Sequence, residues 1–175
     1  MVLWIIGLSG TGKSTLAGLV VHRLRESGKS VVLLDGDIIR ALLGNDVDHT
    51  LGGRRRNAER LSQLSKFLAD QGIHVVAAVL SMFPEWQHWN RANIPDYSEV
   101  YMRATIDTLL RRDIKNLYAR ALKGEISNVV GVDLPFPDPE RPELVINNDR
   151  DLLDLNELAD KVMNLEIVQK VLSRT

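Results

Sequence analysis

The residues Gly7-Leu-Ser-Gly-Thr-Gly-Lys13-Ser14 fit the pattern G-x-x-x-x-G-K-[ST], a spacing whose chemistry is the holding of phosphate groups. Gly7, Gly10 and Gly12 let the backbone curl. Successive N–H groups, from Ser9 and Thr11 through to Thr15 at the amino end of the next helix, then converge on phosphate oxygens. Lys13 supplies a point charge for the β and γ groups, and Ser14 offers a hydroxyl to Mg²⁺. A nucleoside triphosphate is the expected guest. No Asn-Lys-x-Asp segment is present to read guanine, which favours a small-molecule kinase over a GTPase.

Two carboxylates, Asp35 and Asp37, flank Gly36 at the end of a short apolar run. Asp-Gly is ordinary turn chemistry. Beside a phosphate cradle, though, a carboxylate can orient or deprotonate an acceptor hydroxyl and help to hold the hydrated metal. Arg40 lies one helical turn beyond Asp37, where a cation suits an anionic acceptor. Arg54, Arg55, Arg56, Asn57 and Arg60 crowd the start of a helix, where the helix dipole opposes positive charge unless an anion compensates. Arg54, Asn57 and Arg60 share a face at three-residue spacing and are candidates to grip the acceptor's phosphates; Arg55 and Arg56 read as a solvated face.

The elements that must position these groups alternate along the chain. Apolar runs at 2–6, 31–34 and 73–80 read as buried parallel strands, with weaker copies at 98–102 and 143–146. Helical periodicity follows Lys13 until Gly28, returns from Arg54 to Gln71, and is plausible at 86–92, 106–121 and 152–172. This alternation predicts an α/β domain spanning 1–175, with a five-stranded, mainly parallel sheet, helices on both faces, and ligands beyond the carboxyl ends of the strands. Pro135, Pro137, Pro139 and Pro142 forbid ordinary helix, so the stretch from Gly124 reads as an excursion over the site, part of a lid of about 112–142. Trp4, His22, His74 and His88 read as packing or surface residues.

The chain has 175 residues, 45% of them hydrophobic, and balances 22 Lys and Arg against 23 Asp and Glu. That composition excludes a disordered chain and gives no global field for nucleic acid or a membrane surface. Zero cysteines exclude thiolate metal sites and cysteine nucleophiles. The apolar start is too short for a signal-peptide core or a membrane span, so the expected location is the cytoplasm. A homodimer is compatible with all of this.

Taken together, the motifs resemble the adenylyl-sulfate kinase family, whose members move the γ-phosphate of ATP to the ribose 3′-hydroxyl of adenylyl sulfate. The resemblance is carried by 7–14, Leu34-Asp-Gly-Asp-Ile-Ile-Arg40, Arg54 with Asn57, Arg112-Asp-Ile-Lys-Asn-Leu-Tyr118, 124–133 and 142–146. It implies a P-loop fold with ATP and Mg²⁺ as cofactors and a small nucleotide as substrate. Asp37 would be catalytic base and metal partner with Ser14, and Lys13 would act beside it. Asp35, Arg40, Arg54, Asn57, Ser81, Phe83 and Val130 would meet the acceptor, Lys115 would sit on the lid near the phosphates, and Arg112 would reach ATP.

Family members hold the acceptor's adenine between two phenylalanines, but the aligned positions here are His49 and Val129. Base–aromatic stacking contributes ~1–3 kcal/mol per base, so a purine loses much of its grip. Ser81-Met-Phe-Pro-Glu and Asn90-Arg91 are instead similar to a relative that phosphorylates cytidine diphosphoramidate, whose smaller pyrimidine needs less stacking area. Phe83 or Trp86 could replace the lost platform. Outside enzymology, the same motifs would suit a sensor that binds ATP without turnover; a nucleic-acid 5′-kinase fits the charge less well.

Overall fold

The computed structural model describes residues 1–43, 48–113, 116–149 and 155–174. In chain order the elements are β1 (Val2–Ile6), α1 (Lys13–Glu26), β2 (Val31–Asp35), α2 (Gly36–Leu42), α3 (Leu51–Asp70), β3 (His74–Val79), α4 (Pro84–Asn93), β4 (Tyr97–Arg103), α5 (Ile106–Arg111), α6 (Leu117–Leu122), β5 (Leu144–Asn147), α7 (Leu155–Met163) and α8 (Glu166–Leu172). The strands form one parallel sheet in the order β2-β3-β1-β4-β5, as the alternation predicts. Every residue of β1 is buried. Strand periodicity sends Leu3 and Ile5 to one face, against Leu16, Val20 and Leu24 of α1 and Leu158 of α7. Val2, Trp4 and Ile6 go to the other face, against Leu61 of α3.

Register sets the site. Ile6 pairs with Val79 and Asp35 with Ala78, so the glycine loop and the acidic turn leave the sheet one residue row apart. The intervening strand β3 keeps them roughly 10 Å from each other. No helix among the described residues is long and apolar enough to cross a membrane.

Three elements differ from the sequence expectation. The helix expected at 106–121 is two helices, because the Asp113 carboxylate accepts from the N–H groups of Leu117, Tyr118 and Ala119 and starts α6 afresh. The closing helix is also two, broken where Leu165 adopts an extended conformation; 152–154 lie outside the described residues. Helix α3 begins at Leu51 rather than Arg54, capped by the Thr50 hydroxyl on Gly53 N–H. Gly53 is required there, since a Cβ would collide with the Asp48 backbone and carboxylate.

Candidate active site

Between Ile6 and α1 the chain curls through Gly10 at φ 81° and Gly12 at φ 93°, a left-handed conformation that favours glycine. At Gly7 the requirement is closeness, because a Cβ would run into the Met102 carbonyl oxygen. The first turn of α1 carries no acidic side chain and no side-chain cap, so its N–H groups face outward as an anion site. Lys13 folds back over the loop and donates to the Leu8 carbonyl across 3.0 Å. Burial pushes its ammonium pKa down, while Asp37 and Asp35 pull it up. The Thr11 hydroxyl turns inward and donates to the same Leu8 carbonyl at 2.9 Å, so it braces the cradle from within instead of facing a ligand.

A cavity of about 370 Å³ opens beside this loop, and Lys13, Ser14, Asp35 and Asp37 all line it. The two carboxylates do different things. Asp35 caps α2, accepting from Asp37 N–H at 3.0 Å and Ile38 N–H at 3.3 Å through one oxygen. Its other oxygen accepts from the Ser14 hydroxyl at 2.6 Å. Asp37 stands in solvent at the mouth, 3.5 Å from the Arg40 guanidinium. Asn57, buried on α3, donates to the Gly36 carbonyl at 3.2 Å and so fixes the residue between the two acids, while its Oδ1 has no partner.

The far wall is built from two segments. Arg40 donates to His49 Nδ1 at 3.0 Å, and Arg54 donates to the His49 carbonyl at 2.9 Å and to the Asn128 carbonyl at 2.8 Å. His49 and Val129 both line the cavity. Burial of the His49 imidazole, with Arg40 and Arg54 adding to it, lowers its pKa.

This geometry has a match: a family model described as adenylylsulphate kinase covers residues 1–147. The chain belongs to that family. Cytidine diphosphoramidate kinase of Campylobacter jejuni is 40% identical over 147 residues, spanning 84% of this chain and 85% of that protein. Adenylyl-sulfate kinase of Paraburkholderia xenovorans is 39% identical over 165 residues, spanning 93% and 90%. The structure of the Mycobacterium tuberculosis APS kinase CysC in complex with AMPPNP and APS superposes with a TM-score of 0.85 at 35% identity, covering 96% of each chain. As a member of this family the chain is a P-loop nucleotide kinase, a phosphotransferase whose acceptor is a hydroxyl.

Most acceptor candidates of this kinase do assemble. Asp35, Arg40, Arg54, Asn57, Ser81, Phe83 and Val130 line the same cavity, joined by Ser9 of the cradle. Ser81 is held at φ 52°, with its carbonyl and hydroxyl taking the Gln87 amide at 2.8 and 3.2 Å. Phe83 packs with Met82 and Val130 beneath the Arg55 guanidinium, 5.0 Å from the ring centre. Trp86 does not line the cavity and packs against Trp89 instead, the two ring planes inclined by 60°. Arg60 does not line it either. Arg55 pairs with Glu85 at 2.6 Å. Arg112 lies behind the cradle, donating to the Asn148 carbonyl at 2.8 Å, and the Asn148 amide in turn donates to the Thr11 carbonyl at 2.9 Å. Lys115 lies outside the described residues. Sequence reasoning missed Leu117, Ile126 and Ser127, which line the cavity and carry no chemical signature.

Proposed function

We propose that this kinase transfers the γ-phosphate of ATP to the ribose 3′-hydroxyl of a small nucleotide. The observation that carries the reading is one cavity lined at once by the Lys13 cradle, by Asp37 and by Arg40 and Arg54. Asp37, exposed and beside Arg40, takes the acceptor's hydroxyl proton. Lys13 and the α1 amino end hold the transferred phosphate, and Arg40 neutralises the acceptor's anionic group. The lid around 112–142 excludes water, so that transfer competes with hydrolysis.

The donor set suits Mg²⁺. Among the described residues no group of three His, Cys, Asp or Glu side chains assembles into a cage. Mg²⁺ needs none, because it keeps several waters and takes one or two protein oxygens together with substrate phosphates. Ser14 and Asp35, already 2.6 Å apart, would hold it with its water shell, and Asp37, lining the same cavity and acting on Lys13, remains the further metal partner that the resemblance implies. Bound there, the ion would neutralise charge on the phosphates.

His49 and Val129 favour cytidine diphosphoramidate as acceptor over adenylyl sulfate. Neither residue is a phenylalanine, and each stacking face a purine forgoes is worth ~1–3 kcal/mol. The test is acceptor-dependent ADP release with each nucleotide, the product's phosphate position being read by ³¹P NMR. ADP formed with neither acceptor removes the proposal. Faster turnover of adenylyl sulfate reverses the choice of base.

A further inference from the structure

The peptide plane joining Asn128 to Val129 is held from both ends. Its carbonyl oxygen accepts from Arg54 Nη2 at 2.8 Å, and its N–H donates to one oxygen of the Asp133 carboxylate. The other oxygen of Asp133 accepts from Asn128 N–H. The Val129 carbonyl then takes N–H groups from Val132, Asp133 and Leu134, and a bridge pairs Val130 with Leu134. The turn is thus a knitted unit, and its Asn128 sits at φ 64°, a strained value for a side chain to adopt. Apolar packing of Val129 and Val130 seats it on the body of the domain, and Arg54 supplies its polar tie to the segment at His49.

The same guanidinium donates through Nε to the His49 carbonyl at 2.9 Å. One planar fork therefore spans the segment at His49 and the turn at Asn128, the latter 74 residues beyond Arg54, and the two bear the cavity-lining positions His49 and Val129. Its partners are neutral carbonyls of the protein, so the group does structural work before any nucleotide arrives. Arg54 also stands near the start of α3, where the helix dipole opposes a cation. Two carbonyl dipoles aimed at it offset that cost.

We propose that Arg54 is a positioning residue, a clasp that ties the 128–134 turn to the segment at His49 so that the acceptor's base meets two walls at a fixed separation. This rests on the kinase reading above, and it differs from the sequence expectation that Arg54 grips the acceptor's phosphates. A clasp needs the fork that lysine lacks and acts in the protein without any nucleotide, whereas a phosphate contact acts only in the complex.

The experiment compares wild type with R54K, R54Q and D133N, first by amide hydrogen exchange of the protein without substrate. The clasp predicts faster exchange over 127–134 in both Arg54 variants, with peptides from β1 unchanged as the control for global unfolding. Exchange in R54K equal to wild type overturns it. In steady-state assays the acceptor KM should rise about ten- to a hundredfold in R54K, with a much smaller change in kcat and in ATP affinity. R54K with near wild-type KM, while R54Q loses kcat, overturns the clasp in favour of a charge contact. D133N removes one of the two acceptor oxygens at the opposite end of the same peptide plane. The R54K/D133N double variant should raise KM little beyond the larger single effect, whereas multiplied effects would mean independent roles. If wild type phosphorylates no acceptor, the functional reading fails, and the exchange measurement still decides the clasp.

Discussion

The Ser14 hydroxyl donates to Asp35 Oδ2 across 2.6 Å, tying the start of α1 to the start of α2. Asp35 thereby joins the phosphate cradle to the segment that carries Asp37 and Arg40. Asparagine caps a helix about as well as aspartate. Asp35→Asn should therefore keep the fold while removing a charge from the metal side of the cavity. We expect a higher Mg²⁺ concentration for half-maximal activity, with little change in melting temperature. Asp35→Ala should also lose the cap, at about 1 kcal/mol. An unchanged Mg²⁺ activation curve in Asp35→Asn would leave Asp35 as a cap only.

In the proposed mechanism Asp37 transfers a proton and does little for the fold: it is exposed, and among the described residues its one side-chain partner is Arg40 at 3.5 Å. Asp37→Asn should lower kcat by about 10²–10⁴, the usual contribution of a positioned general base. ATP affinity by calorimetry should barely move. A variant that keeps full turnover would remove the base assignment.

The glycine cradle and the alternating strands were legible because each depends on residue type at fixed spacing. Gly10 and Gly12 need their φ values, and β1 needs five apolar residues in a row. Helix α2 was legible only as the single turn from Asp37 to Arg40: it is short, its apolar Ile38, Ile39 and Leu42 are not fully buried, and its start is set by the Asp35 carboxylate. The break before α6 was hidden for the same reason, since a side-chain carboxylate at Asp113 reads like any other polar residue in a helix. The two carboxylates could be placed in one crevice from sequence, but not told apart, because only coordinates show which one meets Ser14. Arg54 was singled out by its charge. Its partners are backbone carbonyls, one of them 74 positions away, and a carbonyl has no letter in a sequence.

Gly131 lies at φ 92°, and a Cβ there would sit 3.1 Å from the Leu8 side chain. Both the left-handed backbone and the contact oppose substitution. Gly131→Ala should cost about 1–2 kcal/mol from the backbone alone. The urea midpoint reads this directly. Because Leu8 also belongs to the cradle, ATP affinity should weaken together with stability; a stable variant with wild-type ATP affinity would show that the turn and the cradle are not in mechanical contact.

His49 is held below the ordinary histidine value of 6.5, chiefly by burial, with Arg40 and Arg54 adding to it and Asp37 and Asp48 opposing. Arginine only donates, so Nδ1 accepts from Arg40 and the neutral ring carries its proton on Nε2. Because the folded pKa is depressed, the unfolded chain takes up the proton first on acidification. The stabilising contribution is intact above 6.5 and is lost as pH falls from there through the folded value. Thermal melts between about pH 7.5 and 5 should therefore decline more steeply for wild type than for His49→Gln. Parallel curves would mean that the imidazole carries no linkage.

Of the two cavity-lining positions proposed to meet the base, His49 is the accessible one, whereas Val129 is buried against Leu109 and Tyr118. Enlarging Val129 would overpack that cluster at about 1–3 kcal/mol, so His49 is the position at which specificity can be changed without disturbing the core. His49→Phe restores one stacking face. On the scale of ~1–3 kcal/mol per stacked base, it should improve kcat/KM for adenylyl sulfate by about five- to a hundredfold. The gain for cytidine diphosphoramidate should be smaller, since a pyrimidine offers less area to the ring. Measuring both acceptors on both proteins isolates the base, because each acceptor serves as its own reference and its terminal group, sulfate or phosphoramidate, cancels in the ratio of variant to wild type. If the phenylalanine variant gains equally on the two nucleotides, position 49 does not face the base, and the preference must be set elsewhere in the cavity.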